Sequence, residues 1–126
     1  MLDTNIASAI IKGKLDPTDR LLGKSCCISA VTHSELLYGV ALLPKAVKLA
    51  KLVGAFLSCV QTAPWDEAAA NRHGRLRAQL RLAGVPIGDF DEMIAAHALS
   101  LGCVLVTDNT HHFGRIQDLR MENWLR

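Results

Sequence analysis

The stretch that decides the fold runs from Gly84 to Asn109 and is GVPIGDFDEMIAAHALSLGCVLVTDN. Its order of residues predicts a turn, a helix, a buried strand and a polar strand end. Asp89, with Glu92 three residues later, is typical of a helix N-cap in a capping box. Apolar residues then recur at helical intervals, as on the buried side of a surface helix. The core-facing stripe that they predict consists of Phe90, Ile94, Ala98 and Leu101.

Two acidic residues of this stretch are expected at one edge of a sheet. Asp91 lies in the first turn of the predicted helix, beside its apolar stripe. The run from Cys103 to Val106 is short and apolar, as in a parallel strand covered on both faces, and Asp108 follows it. Because open α/β sheets bind ligands at the carboxyl ends of their strands, the stretch predicts a site that includes Asp91 and Asp108.

The rest of the chain repeats the alternation of short strands and helices. Further short strands are predicted at residues 25–29, 59–63 and 119–124, and a short capped helix at 16–23. The alternation predicts an α/β fold in which a parallel sheet lies between helices. The chain has 126 residues, half of them hydrophobic, which indicates a single domain spanning residues 1–126.

Composition narrows the classes of function. Aromatic residues make up 5% of the chain, which argues against nucleic-acid binding on an aromatic platform. A net charge of +2 permits a polyanionic partner without requiring one. No signal peptide or membrane-length apolar run is recognised, and the four cysteines include no Cys-x-x-Cys pair. We therefore expect a soluble, cytoplasmic protein with no membrane association.

Two further acids are expected at the same edge as Asp91 and Asp108. Asp3 follows the first predicted strand, and Glu35 lies in the helix after the second. Each has a purely structural alternative, since Asp3 could simply cap a helix and Glu35 stands at capping-box distance from Thr32. In a right-handed parallel sheet all four acids gather on one rim, where their mutual repulsion raises their pKa values.

A divalent cation would relieve this repulsion. Oxygen ligands without a His or thiolate cluster favour Mg²⁺, with Mn²⁺ as a substitute, over zinc. Such an ion activates a water and neutralises charge on a phosphate, which suits hydrolysis of a phosphodiester. The acids alone would repel nucleic acid, so the metal and nearby arginines must compensate. Four arginines of one predicted helix fit either this role or an ordinary charged surface; they are Arg72, Arg75, Arg77 and Arg81.

At these residues the chain closely resembles the PIN-domain ribonucleases, and within them the VapC-like toxins of type II toxin–antitoxin systems. The matching elements follow one another along nearly the whole chain. They are Met1-Leu2-Asp3-Thr4-Asn5, Thr32-x-x-Glu35-Leu36-x-x-Gly39, Gly84-x-Pro86-Ile87-Gly88-x-x-Asp91-x-x-Ile94-Ala95-Ala96, Val106-Thr107-x-Asn109 with Phe113, and Glu122-Asn123-Trp124.

The resemblance implies a PIN-like three-layer α/β/α fold with a short, mainly parallel sheet of four to five strands. It also implies a Mg²⁺-dependent endoribonuclease toxin in which Asp3 and Asp91 bind the metal and Glu35 is a third acid. Further implications are a homodimer, a cognate antitoxin as partner, and RNA, with tRNA as a common target class, as substrate.

One position departs from the family pattern. The fourth acidic position, two residues after the threonine, is Asn109 here, and Asp108 lies one residue earlier. Either residue is a candidate for that role, and our candidate catalytic and metal-binding set contains Asp108. Asn109, Thr4, Asn5 and Thr107 complete the set as neighbours of the site.

Other functions stay open from the sequence. The fold could serve a non-catalytic RNA-binding or interaction module, because a fold does not determine a function. A phosphatase with Asp3 as nucleophile is disfavoured, because such motifs usually provide a second Asp two residues later. Nothing in the chain distinguishes RNA from DNA as substrate.

Overall fold

The computed structural model describes residues 1–20 and 25–125. Its helices surround short parallel strands, which confirms the predicted α/β class. The strands are β1 (Cys27–Ser29), β2 (Gln61–Ala63), β3 (Leu105–Val106) and β4 (Met121–Glu122). The helices are α1 (Thr4–Ile11), α2 (Ala30–Leu42), α3 (Val47–Cys59), α4 (Glu67–Leu82), α5 (Asp89–Leu101) and α6 (Thr110–Phe113).

The start of the chain lies in the middle of the sheet. β1 pairs with β2 and β3 pairs with β4, both in parallel, and Leu2 forms parallel bridges to Ile28 and to Val106. The Leu2 N–H donates to the Cys27 carbonyl, and the Asp3 N–H donates to the Val106 carbonyl, both at 2.8 Å. The order is therefore β2, β1, Leu2, β3, β4, which confirms the short parallel sheet.

Apolar residues cover both faces of this sheet. Side chains of successive strand residues point to opposite faces, and Leu105 and Val106 accordingly belong to different core clusters. The Leu105 cluster contains Ile94 of α5 and Leu76 of α4, whereas the Val106 cluster contains residues of α1, α2 and α3. Helices thus pack on both faces of the sheet, which gives the three-layer α/β/α arrangement.

Helix α5 differs from its prediction at both ends. Gly88, and not Asp89, is the N-cap residue, and Glu92 is buried and accepts a hydrogen bond from the Ile87 N–H at 3.4 Å. Phe90 and Leu101 are 59% and 50% exposed, so the predicted stripe is wrong at these two positions. Both residues lie near the ends of α5, whereas the buried residues Ile94, Ala95, Ala96, His97 and Ala98 lie in its middle.

The structure also differs from two other local predictions, the capping box at Thr32 and the helix at residues 16–23. Ser29 caps α2 by accepting from the Val31 N–H at 3.0 Å, so Thr32 lies inside the helix and not at its cap. Residues 18–20 form a turn, and residues 21–23 of the helix predicted at 16–23 lie outside the described part of the chain. Within the described residues no helix has the length and apolar character needed to cross a membrane.

Candidate metal centre

Asp3 is a buried carboxylate that directly follows Leu2, the residue between β1 and β3. It is the N-cap of α1, and its Oδ1 accepts from the Thr4 N–H at 2.8 Å. Its Oδ2 accepts from Thr107 Oγ1, also at 2.8 Å. Burial raises the pKa of Asp3, and these two hydrogen bonds oppose the rise. The capping role and the site role expected for Asp3 are therefore compatible.

Glu35 is joined to the start of α1 through a hydroxyl. Thr4 Oγ1 donates to Glu35 Oε1 at 2.8 Å and lies 3.0 Å from Thr32 Oγ1. Because a hydroxyl has one proton, Thr4 donates to Glu35 and accepts from Thr32. Because Ser29 caps α2, Thr32 and Glu35 do not form a capping box at the start of that helix, and this structural alternative for Glu35 is wrong. The Glu35 carboxylate instead faces Thr4, the residue that follows Asp3.

Asp91 completes a group of three acids. It lies half-buried in the first turn of α5. Burial raises the pKa of Asp91 to about 6, with further contributions from the negative charges of Asp3 and Glu35 and an opposing one from His112. The fold thus brings Asp3, Glu35 and Asp91 within electrostatic reach of one another.

Asp108 and Asn109 make different connections after β3. Asp108 Oδ1 accepts from Asn123 Nδ2 at 3.0 Å. The Asn109 N–H instead donates to Thr107 Oγ1 at 2.9 Å, the same hydroxyl that donates to Asp3. Asn109 is therefore connected to the acidic group through one shared hydroxyl.

Asn5 and His112 differ in their relation to the acidic group. Asn5, a predicted neighbour, is exposed in the first turn of α1. His112, which our sequence reasoning left out, accepts from Asn109 Nδ2 at its Nδ1 at 2.9 Å and influences Asp91. The spacing of three residues between Asn109 and His112 at a helix start is the signal that could have identified it.

The chemistry of these groups fits a hard divalent cation. Across residues 1–20 and 25–125, no three His, Cys, Asp or Glu side chains form a complete metal-binding cluster by themselves. Mg²⁺ needs fewer protein ligands, since it keeps several waters and commonly takes one or two carboxylates. Burial is the main reason why the pKa values of Asp3 and Asp91 are raised, so water solvates the charge of both carboxylates poorly. Both would gain from a cation held between α1 and α5.

Comparisons with known proteins agree with this architecture. A family model described as "PIN domain" matches residues 1–119. The "tRNA(fMet)-specific endonuclease VapC" of Shigella flexneri is 40% identical over 127 residues, which covers 98% of this chain and 96% of the relative. The solved VapBC2 complex from Rickettsia felis, bound to a promoter DNA fragment, superposes with a TM-score of 0.89 at 32% identity, covering 98% of this chain and 97% of that one. The DNA-bound VapBC complex of Salmonella typhimurium gives a TM-score of 0.89 at 37% identity, with coverages of 98% and 96%.

Proposed function

The chain belongs to the PIN-domain family, and from that premise we propose that it is a metal-dependent endoribonuclease acting as the toxin of a toxin–antitoxin pair. Curated relatives are named ribonucleases and tRNA-specific endonucleases, and the solved neighbours are toxin–antitoxin complexes. PIN-domain ribonucleases in general depend on a metal. The observation that carries the proposal is the acidic group itself, in which burial, and after it the charges of Asp3 and Glu35, raise the pKa of Asp91 to about 6.

The residues have distinct proposed roles. Asp3 and Asp91 bind Mg²⁺, for which Mn²⁺ can substitute, and Glu35 orients the attacking water. When bound, the metal would neutralise negative charge on the scissile phosphate and lower the pKa of the attacking water. Thr107 fixes one oxygen of Asp3, and Thr4 holds Glu35 in place.

Asn109 is the better supported of the two candidates for the fourth position. Its backbone is tied to the hydroxyl that holds Asp3, and its side-chain Nδ2 is used by His112, so its Oδ1 is the atom suited to a cation or a bound water. Asp108 Oδ1 accepts from Asn123 Nδ2. Asp108 stays in the predicted set, with a role that the experiment below separates from that of Asn109.

The wider setting follows from the same family. We propose one nuclease domain over residues 1–126, a homodimer, and a cytoplasmic location in which a cognate antitoxin covers the acidic site. The substrate class is RNA, with tRNA favoured because the Shigella flexneri relative is named for it.

The test is cleavage of a total tRNA pool by the purified chain with Mg²⁺ and with excess EDTA. We expect Mg²⁺-dependent cleavage, and a loss of at least about 100-fold in Asp91→Asn, because the variant lacks a charged ligand of the ion. Asn109→Ala should reduce cleavage more than Asp108→Asn.

Asp89→Asn is the matched control, because Asp89 lies in the same helical turn with an exposed side chain that pairs only loosely with Arg77, at 3.7 Å. It should cut at the wild-type rate. Cleavage that persists in EDTA or in Asp91→Asn would contradict the mechanism. RNA binding without cleavage, indifferent to metal, would instead support the non-catalytic module.

A further inference from the structure

Two cysteine thiols meet at the edge of the sheet away from the acidic group. Cys27 is the first residue of β1, and Cys103 lies two residues before β3. Because the strands are parallel, their amino ends share one edge of the sheet. The Asp3 N–H donates to the carbonyl of Val106, the last residue of β3, so the acids gather at the other edge.

The start of the chain holds the two cysteine-bearing segments together. The Met1 ammonium donates to the Val104 carbonyl at 2.7 Å, and the Leu2 N–H donates to the Cys27 carbonyl at 2.8 Å. Both thiols are half-buried and pack against the same core cluster, that of Leu105. The backbone that carries each thiol is therefore fixed on either side of the first two residues.

The two thiols form a hydrogen bond, in which Cys27 is the donor. Cys103 Sγ donates its one proton to the Ala98 carbonyl at 3.7 Å, so the proton between the two sulfurs comes from Cys27. This bond lowers the pKa of Cys103 to about 6 against the opposing effect of burial, and the Met1 ammonium lowers it further. The same bond, and after it burial, raises the pKa of Cys27. Cys103 is therefore the thiolate of the pair, and Cys27 keeps its proton.

A cavity of about 280 Å³ gives small molecules access to Cys103. Among the described residues that line this cavity, the thiols are those of Cys26 and Cys103. Met1 and Glu122 supply its charges, and the Glu122 carboxylate already accepts from Trp124 Nε1 at 2.9 Å. Cys103 is therefore the sulfur of the bonded pair that a reagent in the cavity meets first.

We propose that Cys27 and Cys103 form a reversible disulfide, with a low-molecular-weight disulfide such as oxidised glutathione as the oxidant. The Cys103 thiolate attacks one sulfur of the oxidant, forms a mixed disulfide and releases one small thiolate. The Cys27 thiol then gives its proton to that thiolate, attacks Cys103 Sγ and releases the second small thiolate, which takes a proton from water. The protein thiols lose two electrons, and the oxidant is reduced to two thiols.

The first step prepares the second. Once Cys103 Sγ is bonded to the small thiol it carries no negative charge, and that charge helps to raise the pKa of Cys27. Cys27 therefore deprotonates more readily in the mixed disulfide than in the reduced pair. Because disulfides in a reducing cytoplasm are usually transient, we expect the pair to be reduced at rest and to close on exposure to oxidant.

The experiment treats the purified, reduced full chain with oxidised glutathione and analyses the product by intact mass and peptide mapping. All proteins carry Cys59→Ser, because the exposed Cys59 thiol would react by itself. We expect the mass to fall by that of two hydrogen atoms, with Cys27 bonded to Cys103 in the peptide map. The unfolding temperature should rise by at least about 10 °C, because the bond closes a long loop of the unfolded chain. Dithiothreitol should reverse both changes.

Substitutions separate the roles of the two thiols. Cys27→Ser should stop at the mixed disulfide and keep one bound glutathione. Cys103→Ser should react at least about tenfold more slowly, because it lacks the thiolate. Cys27→Ala and Cys103→Ala should repeat these results. Cys26→Ser is the matched control, because Cys26 lines the same cavity and directly precedes Cys27, and it should oxidise as its parent does.

The peptide map of the parent protein decides the bond even where a variant fails to fold. A mixed disulfide that persists while Cys27 is present would overturn the proposal, because the two sulfurs would then not reach bonding distance. A bond between Cys26 and Cys103, or a parent protein that does not react, would overturn it as well. None of these results depends on RNA cleavage, so the proposed function is tested separately.

Discussion

At the scale of single residues, the hydroxyls around the acids define the site as much as the acids do. Thr107 is fully buried, donates to Asp3 and accepts from the Asn109 N–H. The Thr4 hydroxyl likewise donates to the Glu35 carboxylate. A hydrogen bond to a buried carboxylate stabilises its charged form, which is the form that binds a cation. We therefore expect both threonines to act as positioning residues of the proposed site.

The substitution Thr107→Val tests this role, because valine has nearly the same shape and no hydroxyl. Asp3 would lose the donor to its Oδ2, so we expect the Mg²⁺ concentration for half-maximal cleavage to rise about 10- to 100-fold. The free energy of unfolding should fall by about 1–3 kcal/mol, because a buried acceptor is left without its partner. A Mg²⁺ titration of the cleavage rate measures the first effect, and denaturant unfolding measures the second.

Thr18→Val is the matched control, since its exposed hydroxyl donates to Asp16 on the surface. We expect both quantities to stay at wild-type values. A Thr107→Val protein with unchanged Mg²⁺ dependence would show that Asp3 needs no support from this hydroxyl.

At the scale of elements, α5 connects the site to the core. Its first turn carries Asp91, its middle is buried against the sheet, and its N-cap Gly88 has φ +111° and ψ 149°. This backbone conformation is essentially restricted to glycine. The direction in which α5 leaves the loop, and with it the position of Asp91, therefore depends on Gly88.

Replacing Gly88 with alanine should strain this entry to α5. We expect the free energy of unfolding to fall by about 1–3 kcal/mol, and cleavage to fall with it because Asp91 lies three residues later. Gly74→Ala is the control within α4, where no atom lies within 4 Å of the added carbon. It should raise stability by about 0.5–1 kcal/mol. Equal effects of the two substitutions in denaturant unfolding would argue against a special role for Gly88.

His97 joins three elements through a neutral imidazole. The ring donates to the Pro64 carbonyl, and its Nδ1 lies 2.8 Å from Ser29 Oγ. In the neutral ring with its proton on Nε2, Nδ1 therefore accepts from the Ser29 hydroxyl. Burial lowers the pKa of His97 below its ordinary 6.5, and the Asp66 charge and the Pro64 bond oppose the shift. The unfolded chain therefore binds this proton more readily than the folded one.

The sign of the resulting pH dependence follows directly. The stability that neutral His97 provides is complete above about pH 6.5 and is lost as the pH falls towards the lower folded pKa. In His97→Asn, which keeps a polar atom near Nδ1 but does not titrate, this loss is absent. We expect the variant to be less stable than wild type at pH 7.5 and the difference to narrow by pH 5 in urea unfolding. A difference that is constant with pH would contradict a buried neutral imidazole.

At the scale of the whole molecule, the acidic group forms because the start of the chain lies in the middle of the sheet. Leu2 lies between β1 and β3, so the acid that follows it meets acids from α2 and α5. Folding must bring these negative charges together, which disfavours the folded state when no cation is bound. The metal binding that we propose is therefore linked to folding.

This linkage predicts the effect of Mg²⁺ on the unfolding temperature. Wild-type protein should unfold at a higher temperature in Mg²⁺ than in EDTA, because a ligand of the folded state stabilises it by about 2.7 kcal/mol at 100 times its dissociation constant. Asp91→Asn removes one charge of the group, so in EDTA at pH 7.5 it should unfold above the wild type. Thermal unfolding of the Asp89→Asn control should match the wild type in both conditions. An equal response of all three proteins to Mg²⁺ would contradict a shared cation site.

The sequence by itself determined the α/β class, the parallel strands and the presence of acids at their carboxyl ends. These follow from local patterns, since periodicity, turn residues and strand composition act over a few residues. The helix around Asp91 and the strand before Thr107 are both of this kind.

Only the tertiary structure decided which groups meet. The Thr107 bond to Asp3 joins residues 104 positions apart, and the Thr4 bond to Glu35 joins residues 31 positions apart. The exposure of Phe90 likewise depends on which distant elements pack around the start of α5. Such features depend on the packing of distant elements, which no local pattern in the chain encodes.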